Sequence, residues 1–103
     1  MVARRKWLRP VSKRRAVALR EYAKLRRIWL AQPEQRFCRF PACRHRTGDV
    51  HHSRGRLGVL LVDVRFWIPL CRRHHDWVGQ NPAQARELNL LCPVGSWNSP
   101  HRD

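Results

Sequence analysis

The chain has 103 residues, a length that allows one domain with a small hydrophobic core. Its 22 Lys and Arg residues stand against 7 Asp and Glu, and the resulting net charge of +15 is most simply explained by a partner that carries many phosphate groups. The sequence shows neither an apolar stretch of transmembrane length nor a signal peptide, so we expect a cytoplasmic protein without a membrane partner.

The first part of the chain predicts a basic arm over residues 1–10 and a basic amphipathic helix over residues 11–32. Ser12 is suited to be the helix N-cap, and the helical pattern runs to about Leu30. One apolar stripe recurs at helical spacing, at Ala18, Tyr22, Leu25 and Trp29. A separate basic stripe consists of Lys13, Arg20, Lys24 and Arg27. We expect the apolar face to pack on the rest of the domain and the basic face to contact phosphate, the alternative being a solvated charged face.

Residues 33–91 are predicted to form one module, followed by a flexible tail over residues 92–103. Apolar, β-branched or alternating patterns predict strands over residues 47–53, 59–64 and 66–70. Short helices are predicted over residues 71–78 and 82–88, with Gly79 as the C-cap of the first and Asn81 as the N-cap of the second.

Two pairs of metal-ligand residues stand out in this module. Cys38 and Cys43 are separated by four residues, and Cys71 and His74 by two. Two such pairs at a distance are the usual way to build a tetrahedral structural zinc site, and a chain with a small core benefits from such a site. In a reducing compartment the cysteines favour metal binding over disulfides, and the alternative is a set of buried free thiols beside a surface histidine.

Two adjacent histidine pairs are the second unusual feature. They are His51-His52 and His74-His75. Neighbours on a strand point to opposite faces, so one member of the first pair can bind a metal while the other faces elsewhere. A second metal held by His51 and His75 is therefore reasonable, and the alternative is ordinary surface or core histidines.

The order of these features resembles the HNH endonucleases, also called ββα-metal nucleases, in their zinc-containing form. The match runs through Cys38 and Cys43, then Asp49-Val50-His51-His52, then Leu70-Cys71-Arg72-Arg73-His74-His75-Asp76-Trp77, with His74 in place of the usual fourth cysteine. The chain is more closely similar to short HNH proteins of bacteriophages and prophages, because a comparable basic helix precedes the first cysteine pair and a segment like residues 81–88 follows the last helix. The resemblance covers residues 11–91.

The resemblance implies a fold and a function. The fold is of the α+β class, a ββα-metal module with a structural zinc knuckle preceded by a basic N-terminal helix. The function is that of a metal-dependent DNA endonuclease or nickase that hydrolyses phosphodiester bonds. Such a protein is phage-encoded and acts in the cytoplasm of the bacterial host cell, with DNA and a phage DNA-processing protein as partners.

The family pattern also implies roles for individual residues. His51 and His75 take the positions of catalytic metal ligands, and His52 takes that of the general base that activates water. A divalent ion such as Mg²⁺, Mn²⁺ or Zn²⁺ holds a non-bridging oxygen and the leaving 3′ oxygen in this chemistry. Arg54 and Arg56 follow the histidine pair and are expected to hold the flanking phosphates.

Two positions depart from the family pattern. Gly79 stands where the family has a third metal ligand, four residues after His75. The family's middle Asn is missing from residues 57–70, where Asp63 is the only polar acceptor that could substitute. The sequence therefore leaves three hypotheses open: a nuclease, a degenerate HNH fold that binds DNA without cutting, and a zinc-stabilised RNA-binding or ribosome-associated protein. The third is disfavoured because it needs an exposed aromatic platform for unpaired bases, and of the five Trp residues that could supply one, Trp29, Trp67 and Trp77 are expected in the core.

Overall fold

A computed structural model describes residues 11–99, so the predicted basic arm at residues 1–10 lies outside the described residues. The helices are α1 (Lys13–Leu30), α2 (Arg72–Gln80) and α3 (Pro82–Glu87), and the strands are β1 (Asp49–His52) and β2 (Trp67–Leu70). Short 3-10 helices cover Pro33–Gln35, Gly58–Val62 and Val64–Phe66. The expected α+β class is confirmed as a small mixed domain with a two-stranded antiparallel sheet.

Helix α1 begins and ends close to where the sequence predicts. The side chain of Ser12 accepts a hydrogen bond from the backbone N–H of Arg15 at 3.0 Å, which satisfies one of the free donors of the first turn. The predicted apolar stripe packs inward: Trp29 is buried against Val50 and Trp67, with Tyr22, Leu25 and Leu30 partly buried around them. Within residues 11–99, no helix is both long enough and apolar enough to cross a membrane.

The two strands form a hairpin that separates the domain into two faces. Val50 pairs with Pro69 and His52 with Trp67, so these four side chains share one face of the sheet. The residues between them along each strand point to the opposite face. Val50 and Trp67 pack against α1. The opposite face carries Leu70, which packs against α2 and α3 through Cys71, Val78, Ala85 and Leu90.

The connection between the strands differs from the predicted strand over residues 59–64. It forms the 3-10 helix Gly58–Val62, because the consecutive residues Leu60 and Leu61 are both fully buried while Val59 is 65% exposed. A strand would place Leu60 and Leu61 on opposite faces, whereas a tight helical turn lets both reach the interior.

The expected end of α2 at Gly79 is also wrong. Gly79 lies inside the helix, which continues to Gln80, and it does not have the positive φ of a glycine C-cap. Asn81 precedes α3 as expected, but its side chain donates to the Trp77 carbonyl oxygen at 3.0 Å and does not cap α3. The Trp77 carbonyl oxygen also accepts from the Asn81 backbone N–H at 2.8 Å, so Asn81 closes the end of α2 with two hydrogen bonds.

Residues 92–99 contrast with the expectation of a flexible tail from residue 92. The backbone N–H of Cys92 donates to the Ser53 carbonyl oxygen at 3.0 Å, and that of Asn98 donates to the Arg54 carbonyl oxygen at 2.8 Å. Cys92 and Ser96 are buried. This segment therefore packs on the turn that follows β1, next to the histidine pair.

Candidate metal centres and the histidine-lined cavity

Four predicted ligands come together in one cluster. The ligand atoms of Cys38, Cys43, Cys71 and His74 all lie within 4.8 Å of one another. The His74 Nδ1 atom is 3.3 Å from the Cys71 Sγ atom and 3.6 Å from the Cys38 Sγ atom. Thiolates about 2.3 Å from a tetrahedral zinc ion lie roughly 3.8 Å apart, so the cluster is close enough to bind a metal ion and is compatible with structural zinc.

Local backbone structure brings each pair of ligands together. The loop with the first pair is closed by hydrogen bonds from Cys38 N–H to the His45 carbonyl oxygen and from Cys43 N–H to the Phe40 carbonyl oxygen. The second pair lies at the amino end of α2, where Cys71 is the N-cap residue. The backbone N–H of Arg39 donates to the Pro69 carbonyl oxygen at 2.7 Å, so the loop is fixed to β2.

The environment of the cluster shifts the pKa values of three of its ligands. Burial raises the pKa of the Cys38 thiol to about 11. Burial opposes ionisation of Cys71 as well, but hydrogen bonds from the His74 backbone N–H and the Cys38 thiol outweigh it and lower the pKa of Cys71. Burial lowers the pKa of His74, which favours the neutral imidazole that a metal requires. Metal binding here has to displace the Cys38 proton, and it would remove the cost of a buried thiolate.

Phe40 fixes the ring of the histidine ligand. Its ring stacks on His74 at a centroid distance of 3.8 Å and an interplanar angle of 1°, and it meets Trp77 edge-on at 5.0 Å. An imidazole held between two thiols and the Phe40 ring loses little further freedom when it binds a metal.

His51, His52 and His75 form a second group beside this cluster. His51 and His52 are 5% and 6% exposed and lie on β1, where they face opposite sides of the hairpin as predicted. His51 meets His75 of α2, with ring centroids 5.3 Å apart. His52 contacts Tyr22 and Trp67 on the α1 side, at 5.5 Å from each ring centroid.

Hydrogen bonds fix which nitrogen of each β1 histidine carries the proton. The Nε2 atom of His51 lies 2.6 Å from the Leu90 carbonyl oxygen, and that of His52 lies 3.1 Å from the Leu61 carbonyl oxygen. A carbonyl oxygen only accepts, so both Nε2 atoms donate a hydrogen and both Nδ1 atoms keep a free lone pair in the neutral ring. Burial lowers the pKa of His51, and it lowers that of His52 to about 4, so both rings are neutral near pH 7.

His75 is oriented by a carboxylate. Its Nδ1 atom donates to the Asp49 Oδ2 atom at 2.8 Å, and Arg72 approaches the same oxygen at 3.2 Å. Burial alone would raise the pKa of Asp49, but the hydrogen bonds and charges of His75 and Arg72 lower it and keep the carboxylate ionised. Because Nδ1 is engaged by Asp49, Nε2 is the nitrogen of His75 that can contact a metal, an arrangement common for metal-binding histidines.

His51 and His75 lie side by side, with ring centroids 5.3 Å apart. Two imidazoles that bind one ion through nitrogens about 2.1 Å away have ring centroids roughly 5 Å apart. Within residues 11–99, no third His, Cys, Asp or Glu side chain completes a set with this pair. Gly79 lies one turn beyond His75 and supplies no ligand, so other positions of an ion at this pair would be left to water or substrate.

A cavity of about 580 Å³ opens beside these histidines. Its wall includes apolar side chains of α2, α3 and residues 91–93, together with His51, His52, His75, Arg56, Arg86 and Trp97. The Arg56 guanidinium lies over the Tyr22 ring at 5.1 Å, and the Arg86 Nε atom donates to the Cys92 carbonyl oxygen at 3.2 Å. The cavity thus combines three imidazoles with two positive charges.

The predicted phosphate-binding residues occupy different environments. The stripe on α1 is exposed along its whole length, at Lys13, Arg20, Lys24 and Arg27. Arg56 is exposed as well. Arg54, by contrast, is 8% exposed, and its Nε atom donates to the Ser99 carbonyl oxygen at 3.1 Å. Arg54 therefore holds the C-terminal segment against the hairpin, and its expected phosphate contact stays a prediction.

Sequence reasoning gave no role to several residues of the site. Asp49 could have been found, because it lies two positions before His51 on the same face of β1 and so near α2. Asp63, suggested as a substitute for the missing Asn, caps the 3-10 helix Val64–Phe66 through the Arg65 N–H. The Leu61 and Leu90 carbonyl groups carry no sequence signal, because their role follows from where the chain folds back.

Comparisons with protein-family models, with curated proteins and with solved structures gave no match. The resemblance to HNH endonucleases therefore rests on the motifs of the sequence.

We predict that replacing a cluster cysteine releases the metal, whereas replacing the remaining cysteine does not. Cys38→Ser should lower the zinc content from about one ion per chain toward zero and lower the unfolding temperature, because a ligand of a structural site is lost. Cys92→Ser is the matched control, since Cys92 is equally buried, at 7% exposed, but lies outside the cluster. Elemental analysis and thermal unfolding report the result. Equal zinc content in the two variants would exclude the cluster as the zinc site.

Proposed function

We propose that this chain is a zinc-stabilised, metal-dependent DNA endonuclease or nickase of the HNH type. The observation that carries the proposal is the set of three histidines on β1 and α2, each with one nitrogen fixed as a donor to an internal oxygen and the other left with a lone pair. Imidazoles oriented in this way, two of them buried on β1, are suited to binding a metal ion and accepting a proton. Their position on a basic cavity wall provides a place for a phosphate group.

The roles follow from the contacts of each ring. His51 and His75 would hold a divalent ion, with Asp49 acting as a positioning residue for His75 through its hydrogen bond to Nδ1. When bound, such an ion stabilises the negative charge that develops on the phosphate and on the leaving oxygen. His52 would accept a proton from water at Nδ1, because its Nε2 hydrogen is directed to the Leu61 carbonyl oxygen.

The environment of His52 keeps the ring available to accept a proton but also makes it a weak base. Burial and the nearby Arg56 lower its pKa to about 4, which keeps the ring unprotonated at neutral pH. The same low pKa makes the ring a weak base, so the proton transfer gains little driving force until negative charge enters the cavity. A bound phosphate would supply that charge and raise the pKa of His52 toward its ordinary value.

The basic surface supports DNA as the substrate. The stripe lies on the exposed face of α1, and Arg56 is exposed beside the domain-facing side of the same helix, where the Arg15 guanidinium donates to the Arg56 carbonyl oxygen at 3.4 Å. A net charge of +15 on 103 residues attracts a polyanion over long distances.

A second function is favoured by one observation. Gly79 leaves the His51 and His75 pair without a third ligand, which weakens the hold on a metal ion. The alternative is therefore a catalytically degenerate HNH fold that binds DNA through the same basic surface.

The first prediction concerns the α1 stripe. Changing Lys13, Arg20, Lys24 and Arg27 together to Gln should reduce the slope of log affinity against log salt by about 3 to 4, because each lost phosphate contact removes about 0.9. Duplex binding measured by fluorescence anisotropy over a salt series gives the slope.

The control removes the same charge from the segment around Cys38 and Cys43. In this variant four arginines that are also exposed are changed to Gln: Arg36, Arg39, Arg44 and Arg46. The control should change the slope of log affinity against log salt by less than about 0.9, the value of one phosphate contact. Equal losses in the two variants would show that DNA is attracted by total charge and that α1 is not the contact surface.

The second prediction concerns the base. His52→Gln should abolish metal-dependent nicking of a supercoiled plasmid, because glutamine can still donate to the Leu61 carbonyl oxygen but has no basic lone pair. We expect a loss of at least about 100-fold, the usual contribution of a general base. Zinc content and DNA affinity should stay at the wild-type values.

His45→Gln is the matched control, because His45 is exposed and lies outside the cavity. Nicking that survives His52→Gln at the wild-type rate would remove His52 from the mechanism. No nicking by the wild-type protein in Mg²⁺, Mn²⁺ or Ni²⁺ would favour the degenerate fold.

The third prediction tests the missing ligand by restoring it. A Cβ atom at Gly79 would meet no atom within 4 Å and needs no unusual φ, so a side chain can be introduced there, on the same helix face as His75. Gly79→His should lower the divalent-ion concentration for half-maximal nicking by at least about 10-fold, since even an outer-shell partner of a metal is worth about 10- to 100-fold.

Gly79→Ala controls for the gain in helix propensity without adding a ligand. If Gly79→His needs the same divalent-ion concentration for half-maximal nicking as the wild-type protein, the His51 and His75 pair does not hold the ion.

A further inference from the structure

Trp97 is a large aromatic side chain left exposed at the edge of the histidine-lined cavity. It is 55% exposed, whereas Trp29 and Trp67 are 7% and 5% exposed and belong to the core, as the sequence predicts. The sequence gave Trp97 no role, and the structure places its indole on the wall of the cavity that also contains His51 and His75.

The position of Trp97 is fixed by its neighbours in the chain. The backbone N–H of Asn98, the next residue, donates to the Arg54 carbonyl oxygen at 2.8 Å, and Ser99 accepts from the Arg54 side chain. Gly55 lies beneath the indole with a φ of +95°, and a Cβ atom there would approach the Trp97 Cε2 atom to 3.3 Å and overlap the Asn98 side chain. The glycine thus permits close packing of the indole edge on the turn after β1.

The surroundings indicate what would cover the exposed face. Arg56 and Arg86 line the same cavity, and the whole chain carries a net charge of +15, so an apolar partner without negative charge would leave these charges uncompensated. A nucleotide combines a flat apolar base, which stacks on an indole, with a phosphate that pairs with arginine.

We propose that Trp97 is the stacking platform for one unpaired nucleobase, with the adjacent phosphate held in the cavity. In duplex DNA each base is stacked between its neighbours and its faces are covered, so the platform serves a single-stranded, flapped or flipped-out nucleotide. The inference rests on the proposed function for the position of the phosphate, and it adds a preference for DNA with an unpaired base at the site.

The experiment separates stacking from charge. Fluorescence anisotropy, without added divalent ions, compares a labelled 12-nucleotide oligo(dT) with an otherwise identical strand of abasic sites, which has the same phosphates but no bases. The wild-type protein should prefer oligo(dT) by about 5- to 100-fold, the usual value of one stacked base. Trp97→Ala should remove most of this preference and leave binding to the abasic strand unchanged, and Trp97→Phe should retain part of it.

Val94→Ala is the matched control, since Val94 lies in the same segment and is 81% exposed. Equal affinity of the wild-type protein for the two strands, or an undiminished preference in Trp97→Ala, would overturn the inference. Plasmid nicking by the same variants keeps the two proposals apart. A Trp97-dependent preference without nicking would contradict the nuclease alone, whereas nicking without this preference would contradict the platform alone.

Discussion

The contact between the first cysteine loop and the amino end of α2 is the constraint on which the rest of the molecule depends. It brings Cys38 and Cys43 to Cys71 and His74, which are 28 to 36 positions further along the chain, and places all four ligand atoms within 4.8 Å. The buried apolar residues around it come from a hairpin with four-residue strands and two short helices, too few to form a large core. A metal ion bound by the two segments in the folded state would stabilise the fold by its binding free energy and would remove the cost of burying the thiolates.

The same contact sets the geometry of the histidine-lined cavity. His74 and His75 are neighbours at the start of α2, so fixing the ring of His74 between Cys71 and Phe40 also fixes the helix that carries His75. Asp49 of β1 then accepts a hydrogen bond from His75 and links the hairpin to α2. Loss of metal would therefore loosen the α2 side of the cavity before it affects His52, which is held from the α1 side by Tyr22 and Trp67. Stability and the proposed chemistry thus share one helix.

The sequence predicts those parts of the structure that depend on local patterns. Ligand spacing identifies the Cys₃His cluster, helical periodicity identifies α1, and strand alternation places His51 and His52 on opposite faces. It fails where distant segments meet: Leu60 and Leu61 are drawn inward together and form a 3-10 turn, and residues 92–99 pack because Ser53 and Arg54 offer them backbone partners. The carbonyl groups that fix the histidine tautomers are backbone atoms, which no residue pattern reveals.

Arg56 shows how binding and chemistry can be connected in so small a domain. Its guanidinium lies over Tyr22 of α1 and also lines the cavity, while its backbone oxygen accepts from Arg15 of the same helix. The domain-facing side of α1 and the cavity are therefore held in a fixed relation by one residue of the turn after β1. In the proposed nuclease, a phosphate held at Arg56 would bring negative charge close to His52 and offset the arginine that lowers the pKa of His52. Substrate binding would then make His52 a stronger base, which the protein alone keeps weak.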